Sequence, residues 1–247
     1  MINIVLNVKI RKMKSTGKSY KDRTIVALDT PSYDAAAAIV EKIGDNISFY
    51  KVGLELYTAD GERVLDLLRA AGKEIFLDLK LHDIPNTVGR AVSSIAKKKV
   101  ALTTLHTSGG LEMMKAAAAA CESPLKILGV TILTSINEET LRNDVLNERS
   151  IPTLVSHLAG KAKEAGLHGV VASALELSLL REKLGDDFLI VTPGIRPAGS
   201  DIADQKRVVT PKEAFKRGAS YIVVGRPITG ASDPSDAARR IIDDIDL

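Results

Sequence analysis

Eight short runs rich in Val, Ile and Leu recur between residues 24 and 225, and they limit the architecture of this chain more than any other feature. They are TIVALD (24–29), FYKVGL (49–54), EIFLDLK (74–80), ALTTLH (101–106), KILGVTIL (126–133), GVVAS (169–173), FLIVTP (188–193) and YIVVG (221–225). Near-continuous apolar character over so short a span is what a parallel strand buried on both faces requires. Helical periodicity fills the intervals. Ile151, Leu154, Val155, Leu158 and Ala162 follow the helical repeat, with Ser150 as the expected N-cap and Pro152 early in the first turn. Val88, Val92 and Ile95 make a similar stripe after Asn86. Eight strand–helix units in 247 residues suit an α/β chain folded as a single (β/α)8 TIM barrel, which typically needs about 250 residues. An open doubly wound sheet is the competing arrangement. Polar residues at the strand ends favour the barrel: Asp29, Lys51, Asp78, Lys80, His106, Thr134, Ser135, Arg196 and Arg226. A closed barrel brings such positions to one mouth, whereas an open sheet leaves many of them far apart.

Composition narrows the class. A hydrophobic content of 45% supports a substantial core, and 4% aromatic residues with no Trp make that core aliphatic. No apolar run approaches the roughly 20 residues of a membrane helix. The single Cys121 excludes an intrachain disulfide framework and fits a reducing, cytoplasmic setting; its expected role is packing on an Ala-rich helix. Net charge is +3, and Lys9, Arg11, Lys12, Lys14, Lys18 and Lys21 precede the first strand with Asp22 as the only acid among them. Residues 1–22 therefore read as a basic, flexible extension. A nucleic-acid arm, an organelle-targeting peptide or translation from Met13 are the other readings of it. Residues 23–247 read as one domain of nearly balanced charge, which argues against a broad nucleic-acid surface.

The chemistry concentrates in Asp78-Leu-Lys-Leu-His-Asp83-Ile-Pro-Asn-Thr87. Strand alternation sends Asp78 and Lys80 to one face and Leu77, Leu79 and Leu81 to the other. Ionised groups at the end of a buried strand are costly unless paired or used. Lys51, Asp78, Lys80 and Asp83 alternate in sign, so each carboxylate favours the charged form of its lysine neighbours. A lysine fixed above a reacting carbon can stabilise a developing carbanion and then donate its proton. His82 falls out of phase with Lys80 and reads as structural; His106 reads as a hydrogen-bonding group.

VTPGIRP and VVGRPI close the seventh and eighth runs, where barrels of this kind often bind phosphate. Gly194 and Gly225 let backbone N–H groups approach an anion, and Arg196 and Arg226 match its oxygens in bidentate fashion. The polar stretch AGSDIADQKRVVT between them reads as a lid, with Gln205 reaching inward. No Cys or His cluster has metal-ligand spacing, and neither a Gly-x-Gly-x-x-Gly nor a P-loop motif occurs.

Taken in order, VALD with Asp29, KVG with Lys51, DLKLHDIPNT (78–87), GVTILTS, VTPGIR and IVVGR resemble the bacterial orotidine 5′-phosphate decarboxylases across residues 24–230. The resemblance implies a cofactor-free and metal-free enzyme that converts orotidine 5′-monophosphate to UMP and CO2, the last step of de novo UMP synthesis. It implies that Lys80 protonates C6 of the pyrimidine, with Lys51, Asp78 and Asp83 completing the charged network. Asp83 and Thr87 would reach the partner subunit's site in a homodimer. Asp29 and Lys51 would contact ribose hydroxyls, Thr134 the pyrimidine ring, and Gln205, Gly225, Arg226 and Arg196 the phosphate. Ile84 and Pro193 complete the implied substrate-binding set. Related sugar-phosphate decarboxylases and aldolases share Asp-x-Lys-x-x-Asp but bind Mg2+ through an acidic residue where this chain has Lys51. A non-catalytic barrel that binds a phosphorylated ligand is a third reading.

Overall fold

The computed structural model describes residues 18–197 and 209–246. Its eight strands are β1 (Thr24–Leu28), β2 (Phe49–Gly53), β3 (Glu74–Leu81), β4 (Leu102–His106), β5 (Lys126–Val130), β6 (Gly169–Val171), β7 (Leu189–Thr192) and β8 (Tyr221–Val224). Each pairs in parallel with its sequence neighbour, and β8 closes on β1. The expected (β/α)8 barrel is therefore the fold. The strands stop short of the apolar runs, most clearly in β5 and β6, where residues 131–133 and 172–173 leave the ladder at the barrel mouth.

Two layers of apolar side chains follow from the two-residue period of a strand. One set faces the helices and forms the larger core, including Val26, Leu28, Val52, Ile75 and Leu77. The other fills the barrel axis with Ile25, Ala27, Phe49, Phe76, Leu102, Leu128, Val191, Tyr221 and Val223. Burying each large side chain of this kind contributes about 1.5–3 kcal/mol. Two residues further along, the inward positions are Asp29, Lys51, Asp78, Thr104, Pro193 and Gly225. An apolar floor thus gives way to a polar mouth at the strands' C-terminal ends.

At the opposite end Phe49 and Tyr221 meet edge to face, with centroids 5.7 Å apart. Lys18 lies across them, its Nζ 5.9 Å from each ring and 2.7 Å from Glu74. Burial, the largest single influence, lowers its pKa; the hydrogen bond to Glu74 and the nearby charges of Tyr221, Glu74 and Asp22 together outweigh it, and the net shift is upward. Tyr20 stacks on Phe215 at 5.0 Å, within a short helix at Tyr20–Arg23. Residues 18–22, assigned by sequence to the basic extension, are thus packed on the barrel; residues 1–17 lie outside the described residues.

The helical stripes behave as their spacing requires. Val88, Val92 and Ile95 are buried on the helix Pro85–Ala96. The helix Ile151–Glu164 buries Ile151, Val155, Ala159 and Ala162, while Leu154 and Leu158 are half-buried. Ser150 occupies the N-cap position but makes no capping bond; its hydroxyl pairs with that of Thr153 at 2.8 Å. Cys121 corrects its expected placement, because it follows the helix Leu111–Ala119 rather than riding on it. The thiol is half-buried and donates to the Leu125 carbonyl at 3.3 Å, and burial pushes its pKa up. No helix among the described residues is long and apolar enough to cross a membrane.

Candidate active site

The site begins with a register skip. Leu77 of β3 stands opposite Thr103 of β4, yet Leu81 stands opposite Leu105. The extra residues bulge β3 toward the mouth and place Lys80 at φ 51°, a left-handed conformation costing an L-residue about 1–2 kcal/mol. Thr104, fully buried, meets that bulge. Its Oγ1 accepts the Lys80 backbone N–H at 2.9 Å and donates to Asp78 Oδ1 at 2.8 Å. Alternation survives the bulge: Leu77, Leu79 and Leu81 pack with the outer core, while Lys80 Nζ donates to Asp78 Oδ2 at 2.8 Å.

Lys51 extends this network toward β1. Its Nζ lies 2.8 Å from Asp29 Oδ1 and 3.7 Å from Asp78 Oδ2. The side chains of Lys51 and Asp78 are only 12% and 10% exposed, against 28% for Lys80, so the charges sit where water screens them weakly. Asp29, Lys51, Asp78 and Lys80 therefore form one alternating row. Gly53 makes space for it, since a Cβ there would stand 2.9 Å from Lys51 Nζ.

Asp83 stands apart from that row. It is exposed, accepts the Ile84 backbone N–H at 2.6 Å and makes no ion pair among the described residues. Ile84 and Thr87 are exposed beside it, and none of the three lines the cavity. His82 is exposed, and its ring stands 5.4 Å from that of His106. Burial, followed by the nearby charges of His82 and Lys80, holds the His106 imidazole below its ordinary pKa. Neither histidine lines the cavity, nor does Ser135, so the convergence expected of the strand-end residues leaves out His106 and Ser135, while His82 lies away from the cavity as its phase implied.

The opposite wall comes from the last two strand ends. Pro193, Gly194, Arg196, Gly225 and Arg226 face the same cavity as the charged row, with Thr134 between them. Gly194 adopts φ 74°, which favours glycine. Arg196 is buried; its Nη1 donates to the Ile195 carbonyl at 3.1 Å and its backbone N–H to Val209 at 3.1 Å. A bridge between Ile195 and Val209 holds together the two ends of the polar stretch expected to act as a lid. Gln205 lies outside the described residues. Burial, and then the like charge of Arg226, pushes the Arg196 pKa down; an anion between the two guanidiniums relieves both effects.

The cavity encloses about 510 Å³, within the usual range for small-molecule sites. Four cations and two carboxylates line it, a surplus of positive charge matched to a phosphate monoester. Phe76, Val130, Val171 and Val223 supply an apolar lining that sequence reasoning assigned to strand cores; their inward phase was the available signal. Thr104 was also missed, although it stands two residues beyond inward-facing Leu102. Among the described residues no group of three or more His, Cys, Asp and Glu could hold a metal ion. The Lys51 ammonium itself occupies the space between Asp29 and Asp78.

Comparison with known proteins places this geometry. The family model described as "Orotidine 5'-phosphate decarboxylase / HUMPS family" matches residues 22–241. The orotidine 5′-phosphate decarboxylase of Moorella thermoacetica is 46% identical over 235 residues, covering 92% of this chain and 93% of its own. That of a Bradyrhizobium species is 48% identical over 225 residues, covering 91% of each. The crystal structure of orotidine 5′-phosphate decarboxylase from Lactobacillus acidophilus superposes with a TM-score of 0.81 at 43% identity, covering 92% of this chain and all of that one. With the barrel, the ordered motifs and these relatives in agreement along nearly its whole length, the chain belongs to the orotidine 5′-phosphate decarboxylase / HUMPS family.

Proposed function

We propose that this chain decarboxylates orotidine 5′-monophosphate to UMP and CO2 with no cofactor or metal ion, as the final step of UMP synthesis in the cytoplasm. One observation carries the reading: Lys80 Nζ is fixed 2.8 Å from Asp78 in a cavity whose far wall presents Arg196 and Arg226. Loss of CO2 leaves an electron pair in an sp² orbital at C6, with no conjugated sink to delocalise it. Lys80 faces that charge as it forms and then gives C6 its proton.

Magnitudes show that Lys80 does not act alone. One charge pair at about 4 Å and an effective dielectric near 20 contributes about 4 kcal/mol, whereas enzymes lower barriers by roughly 8–23 kcal/mol. The remainder comes from groups distant from C6, which hold the substrate in its reactive pose. Arg196, Arg226, Gly225 and Gln205 take the phosphate, Asp29 and Lys51 the ribose, and Thr134 and Pro193 the base. Asp83, Ile84 and Thr87 serve the neighbouring subunit of a homodimer, which accounts for their exposure in a single chain. Residues 23–247 form the decarboxylase domain, with residues 18–22 packed against its barrel.

A Mg2+-dependent sugar-phosphate decarboxylase or aldolase would need the place that the Lys51 ammonium fills between Asp29 and Asp78. The test follows the ultraviolet absorbance of orotidine 5′-monophosphate mixed with purified protein, with and without a chelator. Turnover indifferent to chelation is expected. Turnover abolished by the chelator would favour the Mg2+ enzymes, and binding without turnover a non-catalytic barrel.

A further inference from the structure

We infer that Thr104 is a positioning residue for the decarboxylation, the joint that holds both members of the Lys80–Asp78 pair; the inference rests on the decarboxylase reading above. The register skip between β3 and β4 takes the Lys80 backbone N–H out of the regular ladder, and a buried N–H needs a partner. Thr104 Oγ1 supplies it at 2.9 Å. The same hydroxyl has one proton, which it donates to Asp78 Oδ1 at 2.8 Å. That bond leaves Oδ2 as the oxygen turned to Lys80 Nζ at 2.8 Å and to Lys51 Nζ at 3.7 Å. One buried hydroxyl thus fixes the main chain that carries the proton donor and the rotation of the carboxylate that aims it.

Thr104 lines no part of the cavity, so it acts through these two residues and not on the substrate. Neighbouring Thr103 donates instead to the Leu77 carbonyl at 3.0 Å, an ordinary bond across the two strands before the skip. Of the two threonines, Thr104 is the one that reaches both charged residues. Its removal should therefore leave substrate capture intact and misplace the ammonium.

The test compares Thr104→Val, which keeps the shape without the hydroxyl, with Thr104→Ser, which keeps the hydroxyl without the methyl. In Thr104→Val, kcat should fall by about 10- to 100-fold while KM and UMP affinity stay within about threefold. Thr104→Ser should retain kcat within about threefold even where its Tm falls. Should Thr104→Val fail to fold, Thr104→Ala against Thr104→Ser carries the same comparison. A Val or Ala variant with the kcat of the unmodified chain overturns the inference, as does a Ser variant equally impaired. An unmodified protein that fails to turn over the nucleotide defeats the decarboxylase reading itself, whereas normal turnover with the wrong variant pattern defeats only the role of Thr104.

Discussion

At the scale of single residues, the position of the Lys51 ammonium depends on what its neighbour lacks. A Cβ at Gly53 would meet Nζ at 2.9 Å and Asp29 Oδ1 at 3.3 Å. The fold can absorb Gly53→Ala by moving a lysine tip, but the row of charges cannot. We expect kcat/KM to fall by about 10- to 100-fold while Tm changes by no more than a few degrees, measured by steady-state kinetics and thermal melts. Arg226 belongs to the other wall, and its loss should act on capture. Arg226→Ala should raise KM by about 10- to 100-fold, the worth of charge-assisted hydrogen bonds, and leave a phosphate-free nucleoside analogue unaffected. Among these residues, Asp29, Lys51, Asp78, Lys80 and Arg226 were legible because ionised side chains stand out at the ends of apolar runs. Thr104 was not, since a threonine in an apolar strand is unremarkable until the register with its neighbour is known. Cys121 was misplaced for a related reason: pattern gives the face of a helix but not where the element ends.

At the scale of elements, strand continuity and strand register carry different information. Apolar runs marked all eight strands because both faces of a parallel barrel are dry, whereas the residue at which each ladder stops depends on partners elsewhere in the chain. The skip that builds the site lies between β3 and β4, and nothing within either segment announces it. Close approach between β6 and β7 is similarly hidden. A Cβ at Gly169 would stand 2.3 Å from the Leu189 carbonyl oxygen, a backbone atom that cannot turn aside. Gly169→Ala should therefore destabilise the chain by about 1–3 kcal/mol, read as a lower urea midpoint with unchanged slope. Arg181 ties the neighbouring strands together where they enter the barrel, donating to the carbonyls of Phe188 and Gly218 and to Ser220 Oγ.

At the scale of the whole molecule, titration and assembly become the observables. The pKa values of His106 and His168 are both lowered, chiefly by burial and then by neighbouring charge from His82 and Lys126 respectively. Below the unfolded value of 6.5 the unfolded chain binds protons that the fold resists, so stability is lost as pH falls through that window. Urea unfolding at mildly acidic pH should give a lower midpoint than at neutral pH, and replacing both histidines with glutamine should narrow the gap. Assembly bears on Asp83, whose proposed role across a dimer rests on family resemblance, since in a single chain it is exposed. Asp83→Ala and Lys80→Ala proteins, each inactive, should regain partial activity when their subunits exchange; exchange without recovery contradicts a shared site. The central device of the proposed mechanism is an ammonium held by a carboxylate, Lys80 by Asp78, against an electron pair that resonance cannot spread. Turnover of orotidine 5′-monophosphate by Lys80→Ala, followed beside UMP binding by the same protein, tests it most directly. The account predicts intact UMP binding with kcat reduced by at least about 10³-fold; a folded variant turning over within about tenfold of the unmodified chain contradicts it.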